Sequence, residues 1–98
     1  MTRYGSRIMT ACCEVYGITR KQFKARRKYQ HWCECRWMCW MILYRKGHGT
    51  LMALGEEFGG WHYGTISHGI RRVEELIQIN KGVRRKFEEV KHLMKGDV

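Results

Sequence analysis

The stretch FGGWHYGTISHGIRR, residues 58–72, decides the fold of this chain. Gly59 and Gly60 are predicted to end the helix before them, because glycine accepts positive φ without steric cost. Ile66 and Ile70 follow at helical spacing and indicate an amphipathic helix directly after the turn. Two helices joined by a tight glycine turn form a helix-turn-helix, the motif that places its second helix in the major groove of DNA.

The two faces of this second helix differ in chemistry. Ile66, Ile70, Val73 and Ile77 form one stripe, which we expect to face a core. The opposite side and its flanks carry small, polar and cationic residues, namely Gly64, Ser67, His68, Arg71 and Arg72. An ordinary helical hairpin whose polar face meets water has the same pattern, so the periodicity alone leaves both interpretations open.

Further helices are predicted before the motif. Residues 6–16 form a first helix that Gly17 ends, and Thr19 with Gln22 forms a capping box for a short basic helix. A long helix rich in Trp, Cys and Met follows at about 29–45 and is expected to be the centre of the fold.

The motif itself is predicted to run from Thr50, as a helix cap, to about residue 79. A joint at 80–82 then precedes a last helix, 83–94, with an apolar stripe. The chain has no proline, and we find no repeats. We therefore predict one all-α, compact multi-helix domain over residues 1–98, with its core at about 8–93.

Length and charge agree with a small module that binds a polyanion. Ninety-eight residues accommodate one core, and 19 Lys and Arg against 9 acidic residues give a formal net charge of +10. Such an excess favours nucleic acid and steers association with it, although RNA, anionic lipid or mere solubility fit the charge equally well. No run approaches the roughly 18 apolar residues of a membrane span, and Arg3 and Arg7 interrupt any secretory pattern, so we expect a cytoplasmic protein.

Three segments carry a resemblance to a known family, namely residues 13–19 with the basic run after them, 51–60 and 65–76. In order and spacing they resemble the C-terminal DNA-binding domain of the bacterial replication initiator DnaA, a domain of the Trp-repressor-like helical class. The resemblance spans most of the chain. It implies an all-α fold with a central helix-turn-helix that binds double-stranded DNA sequence-specifically.

The turn before the recognition helix departs from that family. The family sequence is typically Arg-Asp-His-(Ser/Thr)-Thr, whereas the five positions here are Trp61, His62, Tyr63, Gly64 and Thr65. In the family the Asp, the His and the first hydroxyl residue contact bases, and the last Thr contacts the phosphate backbone. Only Thr65 is retained. His62 and Tyr63 can still donate or accept at base edges, and Trp61 can pack on a sugar or a thymine methyl.

The basic run after residue 19 is the second candidate for DNA contact. In the family this loop carries an arginine that enters the minor groove; by alignment that residue is Arg27 or Lys28 here, with Arg26 close by. Solvation of an exposed helix end is the alternative for these charges. Phosphate contacts fall to Lys46, Thr50, Thr65, Arg71 and Arg72, since helix N-termini and basic side chains both suit anions.

Five cysteines raise the question of a metal site. No two of them have the spacing of a zinc knuckle. His31, Cys35 and Cys39 do fall on one helical face, and Cys12 or His48 is a conceivable further ligand. Small hydrophobic cysteines in a core explain the same pattern more simply, so we expect no metal, no cofactor and no disulfide.

Catalysis finds little support in the sequence. No serine or cysteine nucleophile has a base at motif spacing, and the adjacent glutamates at 56–57 and 74–75 point in different directions on helices. The sequence also lacks a phosphate-binding glycine-lysine loop, so we expect neither an enzyme nor the ATPase module of the initiator.

The predicted function is therefore sequence-specific double-stranded DNA binding, in an accessory role in replication or transcription. A phage or mobile element is one plausible setting for it, and a protein of the replication or transcription complex is a possible partner. The alternative is a basic helical protein-interaction module that has lost specific DNA reading. Gly64 favours this alternative, because glycine costs about 1 kcal/mol of helix stability relative to alanine and provides no side-chain contact.

Overall fold

The computed structural model describes residues 1–95, which contain α-helices and no strand. The helices are α1 (Arg3–Tyr16), α2 (Arg20–Lys24), α3 (Gln30–Arg45), α4 (Leu51–Glu57), α5 (Tyr63–Ile79) and α6 (Lys81–Leu93). The all-α prediction is confirmed. The predicted domain extends to residue 98, and its last three residues lie outside the described part of the chain.

Local capping sets most of the helix ends where the sequence predicted them. Gly17 has φ 67° and ends α1, and its N–H contacts the carbonyls of Cys13 and Glu14. The predicted capping box of Thr19 and Gln22 is present at α2. These interactions satisfy backbone groups that the ends of a helix leave without a partner.

Two helices begin earlier than predicted. α1 starts at Arg3 because the Thr2 hydroxyl accepts a hydrogen bond from the Gly5 N–H, at 3.0 Å. α6 starts at Lys81 because the Asn80 side chain accepts from the Val83 N–H, also at 3.0 Å. The predicted joint at 80–82 is therefore wrong: Asn80 alone separates α5 from α6.

The central position predicted for the Trp, Cys and Met helix is confirmed. α3 packs against α1 and α5 and also contacts α2 and α4. Its residues from Met38 to Leu43 are all buried, so this segment is enclosed on every side rather than along one stripe. The apolar stripe of α5 is buried at Ile66, Ile70 and Val73, while Ile77 is only partly buried.

Two glycines allow close packing, Gly55 against the turn before α5 and Gly69 between α5 and α3. A Cβ at Gly55 would lie 2.1 Å from the Trp61 carbonyl oxygen, and a Cβ at Gly69 would lie 2.2 Å from Cδ1 of Trp37. The Gly55 carbonyl also accepts from the N–H groups of Gly60 and Trp61, at 2.8 and 2.9 Å. Together with the positive φ of Gly59 and Gly60, these contacts fix the turn between α4 and α5.

Candidate nucleic-acid interface

The start of α5 is built by His62, which is its N-cap residue. The His62 Nδ1 accepts a hydrogen bond from the Gly64 N–H at 2.9 Å, and its ring stacks on Tyr63 with centroids 4.4 Å apart. Both side chains are exposed. One ring nitrogen of His62 thus caps the helix, which leaves Nε2 as the nitrogen that can meet a further partner.

Trp61 is held by contacts within the protein. Its ring is only partly exposed and meets Trp40 edge-on, with centroids 5.5 Å apart. The guanidinium carbon of Arg26 lies 3.9 Å from the centroid of the Trp61 ring. Trp61 therefore joins the turn before α5 to the core and to Arg26, with part of its surface left open to a further partner.

The predicted basic run divides by what its side chains touch. Arg26 donates to the Gly59 carbonyl and stacks on Trp61, so it ties the loop to the turn. Arg27 and Lys28 are exposed. Arg26 is exposed as well, and it differs from these two because its guanidinium contacts the turn before α5.

A buried arginine that the sequence analysis did not single out holds this loop in place. Arg36 is 2% exposed; its Nε donates to the Phe23 carbonyl at 2.7 Å, and its Nη2 donates to the carbonyls of Arg27, at 3.0 Å, and of Ala25. Desolvation lowers the pKa of Arg36 from its usual value, although a guanidinium remains charged in proteins. We name residues 25–29 the basic loop; the clamp of Arg36 fixes its backbone against α3.

The remaining candidate residues are brought together in part. Thr65 and His68 of α5 line one cleft with Lys28 of the basic loop. Thr50 caps α4 through the Ala53 N–H, at 3.1 Å, and borders a second groove with Tyr63. The other predicted phosphate ligands, Lys46, Arg71 and Arg72, are exposed, and neither groove includes them. Arg72 lies 3.6 Å from Glu75 in a surface ion pair.

Comparison with known proteins identifies relatives whose function is named. The chain is similar to the chromosomal replication initiator protein DnaA. The proteins of that name from Streptococcus pyogenes serotype M4 (strain MGAS10750) and Streptococcus uberis (strain ATCC BAA-854 / 0140J) are each 26% identical to it over 88 residues, which are 90% of this chain and 20% of theirs. The chain thus spans about a fifth of the length of the curated relatives it matches. No family model matches the chain.

The similarity supports a DnaA-like domain, and it reaches beyond the motif. In DnaA from Streptococcus pyogenes serotype M49 (strain NZ131), 82 residues match at 26% identity, which are 84% of this chain and 18% of that protein. A match over 84% of the chain includes α3 as well as α4 and α5. Within residues 1–95, no helix is both long enough and apolar enough to cross a membrane.

The residues considered for a metal lie in different environments. Cys35 and Cys39 are buried in the core, whereas His31 is exposed and contacts the Tyr16 carbonyl. His48 lies against Thr2, with 2.8 Å between Nε2 and the hydroxyl oxygen. In residues 1–95 no group of three or more His, Cys, Asp or Glu side chains is suited to hold a metal ion. Helical spacing correctly placed His31, Cys35 and Cys39 on one face of α3, but the first residue of that face lies at the surface and the other two lie in the core.

The buried thiols are expected to resist alkylation in the folded protein. Burial raises the pKa of Cys12 and Cys39, and hydrogen bonding with Cys13 raises the pKa of Cys35. The same hydrogen bond lowers the pKa of Cys13, but that side chain is 5% exposed. Since the thiolate is the reactive form, a short iodoacetamide pulse at a pH of about 8 should label the partly exposed Cys33 first.

Peptide mass spectrometry after the pulse, with and without denaturant, measures the order of thiol labelling. All five cysteines should react at similar rates once the chain is unfolded. Labelling of Cys12 or Cys39 as fast as Cys33 in the native protein would contradict the burial of the α1–α3 interface.

Proposed function

We propose that this chain is a DNA-binding domain of the DnaA type, of the Trp-repressor-like class, that recognises a specific double-stranded sequence. In this proposal α5 enters the major groove, and the basic loop reaches the adjacent minor groove. The observation that carries it is the pairing of two elements: Arg36 and Arg26 hold the basic loop beside the start of α5, so that Lys28 and Thr65 line one cleft. The major and minor grooves lie on either side of one backbone strand, so a helix in the first and a basic loop in the second would contact the duplex on both sides of that strand.

The relatives support the nucleic-acid partner but leave the biological process open. They are named as chromosomal replication initiators, and the similar region is about a fifth of each. We propose an accessory role in replication or transcription through DNA binding, without catalysis. Selection from a random double-stranded library at near-physiological salt, with a DnaA-box duplex as competitor, tests the proposal directly. Enrichment of one short motif is the expected result.

The net charge of the chain supports affinity for DNA of any sequence. A formal net charge of +10 on 98 residues favours association with a polyanion, and exposed cations flank the start of α5. With six to ten phosphate contacts, affinity is expected to fall by about three to five decades between roughly 50 and 200 mM salt. Phosphate contacts alone do not select a sequence, so the base-contacting residues need a separate test.

Two substitutions at His62 separate base recognition from helix capping. His62→Ala removes the cap of α5 and is expected to cost about 1 kcal/mol of stability, whereas His62→Asn keeps a capping side chain. If His62 contacts a base, both variants lose about tenfold or more of the preference for the selected motif over random duplex, since such contacts contribute about 1–3 kcal/mol of discrimination. Binding titrations and thermal melts of the same variants measure the two effects.

Arg71→Gln is the matched control for a phosphate contact. Arg71 is exposed on the predicted DNA face, and loss of one phosphate contact should weaken motif and random duplex alike. The slope of log affinity against log salt should then fall by about 1. Equal losses on motif and random duplex for His62→Asn would remove His62 from the base-contacting set.

A second candidate function is a protein-interaction module. An apolar groove of about 510 Å³ is bordered by Tyr44, Met52 and Tyr63, whose side chains are 45%, 60% and 51% exposed. Exposed apolar clusters of this kind occur at interaction sites. A steep salt slope on random DNA with no preference for any sequence would favour this second function over the first.

A further inference from the structure

The cleft between the basic loop and the first turns of α5 has an unusual lining. Three indole side chains, Trp37, Trp40 and Trp61, border a volume of about 170 Å³, and the exposed Lys28, Thr65 and His68 border it as well. This volume corresponds to about six water molecules at the roughly 30 Å³ that each occupies in the liquid. It suits one planar ring with a short polar group rather than a segment of peptide.

A buried donor without an acceptor belongs to this cleft. Trp40 is 1% exposed, and its indole Nε1 has no hydrogen-bond partner among the described residues. Buried donors are nearly always paired, because an unpaired one loses its bonds to water without replacement. Nε1 itself is closed to solvent, so a small displacement of the cleft wall is needed before the carbonyl oxygen or ring nitrogen of a ligand can supply the acceptor that Trp40 lacks.

The indole walls are held in position by the protein. Trp37 packs on α5 where Gly69 leaves no side chain, and the His68 ring meets it edge-on with centroids 6.2 Å apart. Trp61 is fixed between the edge of Trp40 and the guanidinium of Arg26. Walls that are already ordered lose little conformational freedom when a ring binds between them.

We propose that this cleft binds a single unstacked nucleobase of the DNA strand that crosses it. Aromatic side chains stack on the face of any base, and base carbonyls and ring nitrogens are acceptors for the N–H of Trp40. Lys28 lies where it can pair with the phosphate of the same nucleotide. The inference rests on the proposed function, because it takes the strand between the major-groove helix and the minor-groove loop as the source of the base.

Two simpler occupants fit the cleft less well. A phosphate group alone could pair with Lys28 and with Arg36, which also borders the cleft, but it would lose hydration against the three indole rings and leave their faces without a stacking partner. An apolar side chain of a partner protein would fill the volume but leave both the Trp40 N–H and the Lys28 ammonium without a partner. A nucleotide meets the rings, the donor and the cation together.

The test uses duplexes that carry the selected motif with a single-nucleotide bulge moved stepwise through and beside it. A base outside the stack needs no unpairing, so at one position the bulged duplex should bind at least about tenfold more tightly than the matched one. 2-Aminopurine placed at that position reports through its fluorescence whether the base leaves its neighbours. Trp40→Phe, which removes the N–H but keeps a ring, and Lys28→Gln should each reduce the preference for the bulge.

Each of the two test variants has a matched control. Trp32→Phe changes an indole of the same helix that packs on Tyr29, at 4.8 Å between centroids, and does not border the cleft. Lys81→Gln removes an exposed cation at the start of α6, which follows the far end of α5. Both should keep the bulge preference, and since Lys28 is exposed, Lys28→Gln tests the cleft even if Trp40→Phe fails to fold.

The outcomes distinguish this inference from the function on which it rests. If the wild-type protein selects a motif but binds every bulged duplex like the matched one, the base-binding cleft is wrong and the proposed function stands. If no motif is selected, both fail. Saturable quenching of tryptophan fluorescence by thymidine monophosphate alone, lost in the same two variants, would assign the cleft to a free nucleotide and overturn its assignment to a DNA strand.

Discussion

Replacing Arg36 with methionine is expected to lower the free energy of unfolding by about 3 kcal/mol and to release the basic loop. Arg36 donates to the carbonyls of Phe23, Ala25 and Arg27 from a position that is 2% exposed. Hydrogen bonds to a charged group contribute about 1.5–3 kcal/mol each, but methionine avoids the desolvation cost of the buried guanidinium, so the net loss is smaller than the sum of the three bonds. Urea denaturation followed by circular dichroism measures the loss.

Arg36→Met should weaken DNA binding even under conditions where the variant remains folded. At a temperature where the variant is still folded, it should bind the selected motif at least about tenfold more weakly, because the backbone that presents Arg27 and Lys28 is no longer fixed. Arg45→Met is the control, since it removes an exposed arginine of the same helix whose ion pair with Glu74 spans 3.0 Å. A surface pair of this kind contributes up to about 1 kcal/mol. Equal destabilisation by the two variants would contradict the role given to Arg36.

The helices of this fold are predictable because their signals are local. Gly17 ends α1, and Thr19 and Thr50 cap α2 and α4 through backbone groups only a few residues away. The clamp of Arg36 has no such signal. Its acceptors are carbonyls 9, 11 and 13 residues earlier, one near the end of α2 and two in the loop after it, so the contact exists only once α2 and α3 have packed. An arginine among Trp, Cys and Met in a central helix was the one hint in the sequence.

The candidate site shows a similar division. Periodicity placed His68, Arg71 and Arg72 on the solvent side of α5, and the structure agrees. It did not show that His62 caps the helix, because capping depends on the side-chain torsion of one residue. Nor did it show that Trp61 lies between Arg26 and Trp40, since those partners are 35 and 21 residues away in the chain.

A methyl group at position 55 is expected to disrupt the turn of the motif. In Gly55→Ala the new Cβ would lie 2.1 Å from the Trp61 carbonyl oxygen, and backbone cannot move aside as a flexible side chain can. Alanine favours the helix by about 1 kcal/mol over glycine, but overpacking costs about 1–3 kcal/mol, and the upper end applies where the obstacle is backbone. We expect a net loss of about 2 kcal/mol in the free energy of unfolding.

Gly55→Ala should also shift α5 relative to α4, because the Gly55 carbonyl accepts the hydrogen bonds from Gly60 and Trp61 that fix the turn. Specific binding to the selected motif is then expected to fall by about tenfold or more, since under the proposed function a displaced α5 loses base contacts of about 1–3 kcal/mol each. Gly49→Ala is the matched control: its Cβ would meet Ala53 at an ordinary 3.5 Å, so its stability should stay within about 0.5 kcal/mol. Should Gly55→Ala instead be more stable than the parent, helix propensity would govern this position and α4 would not pack against the turn as closely as the structure has it.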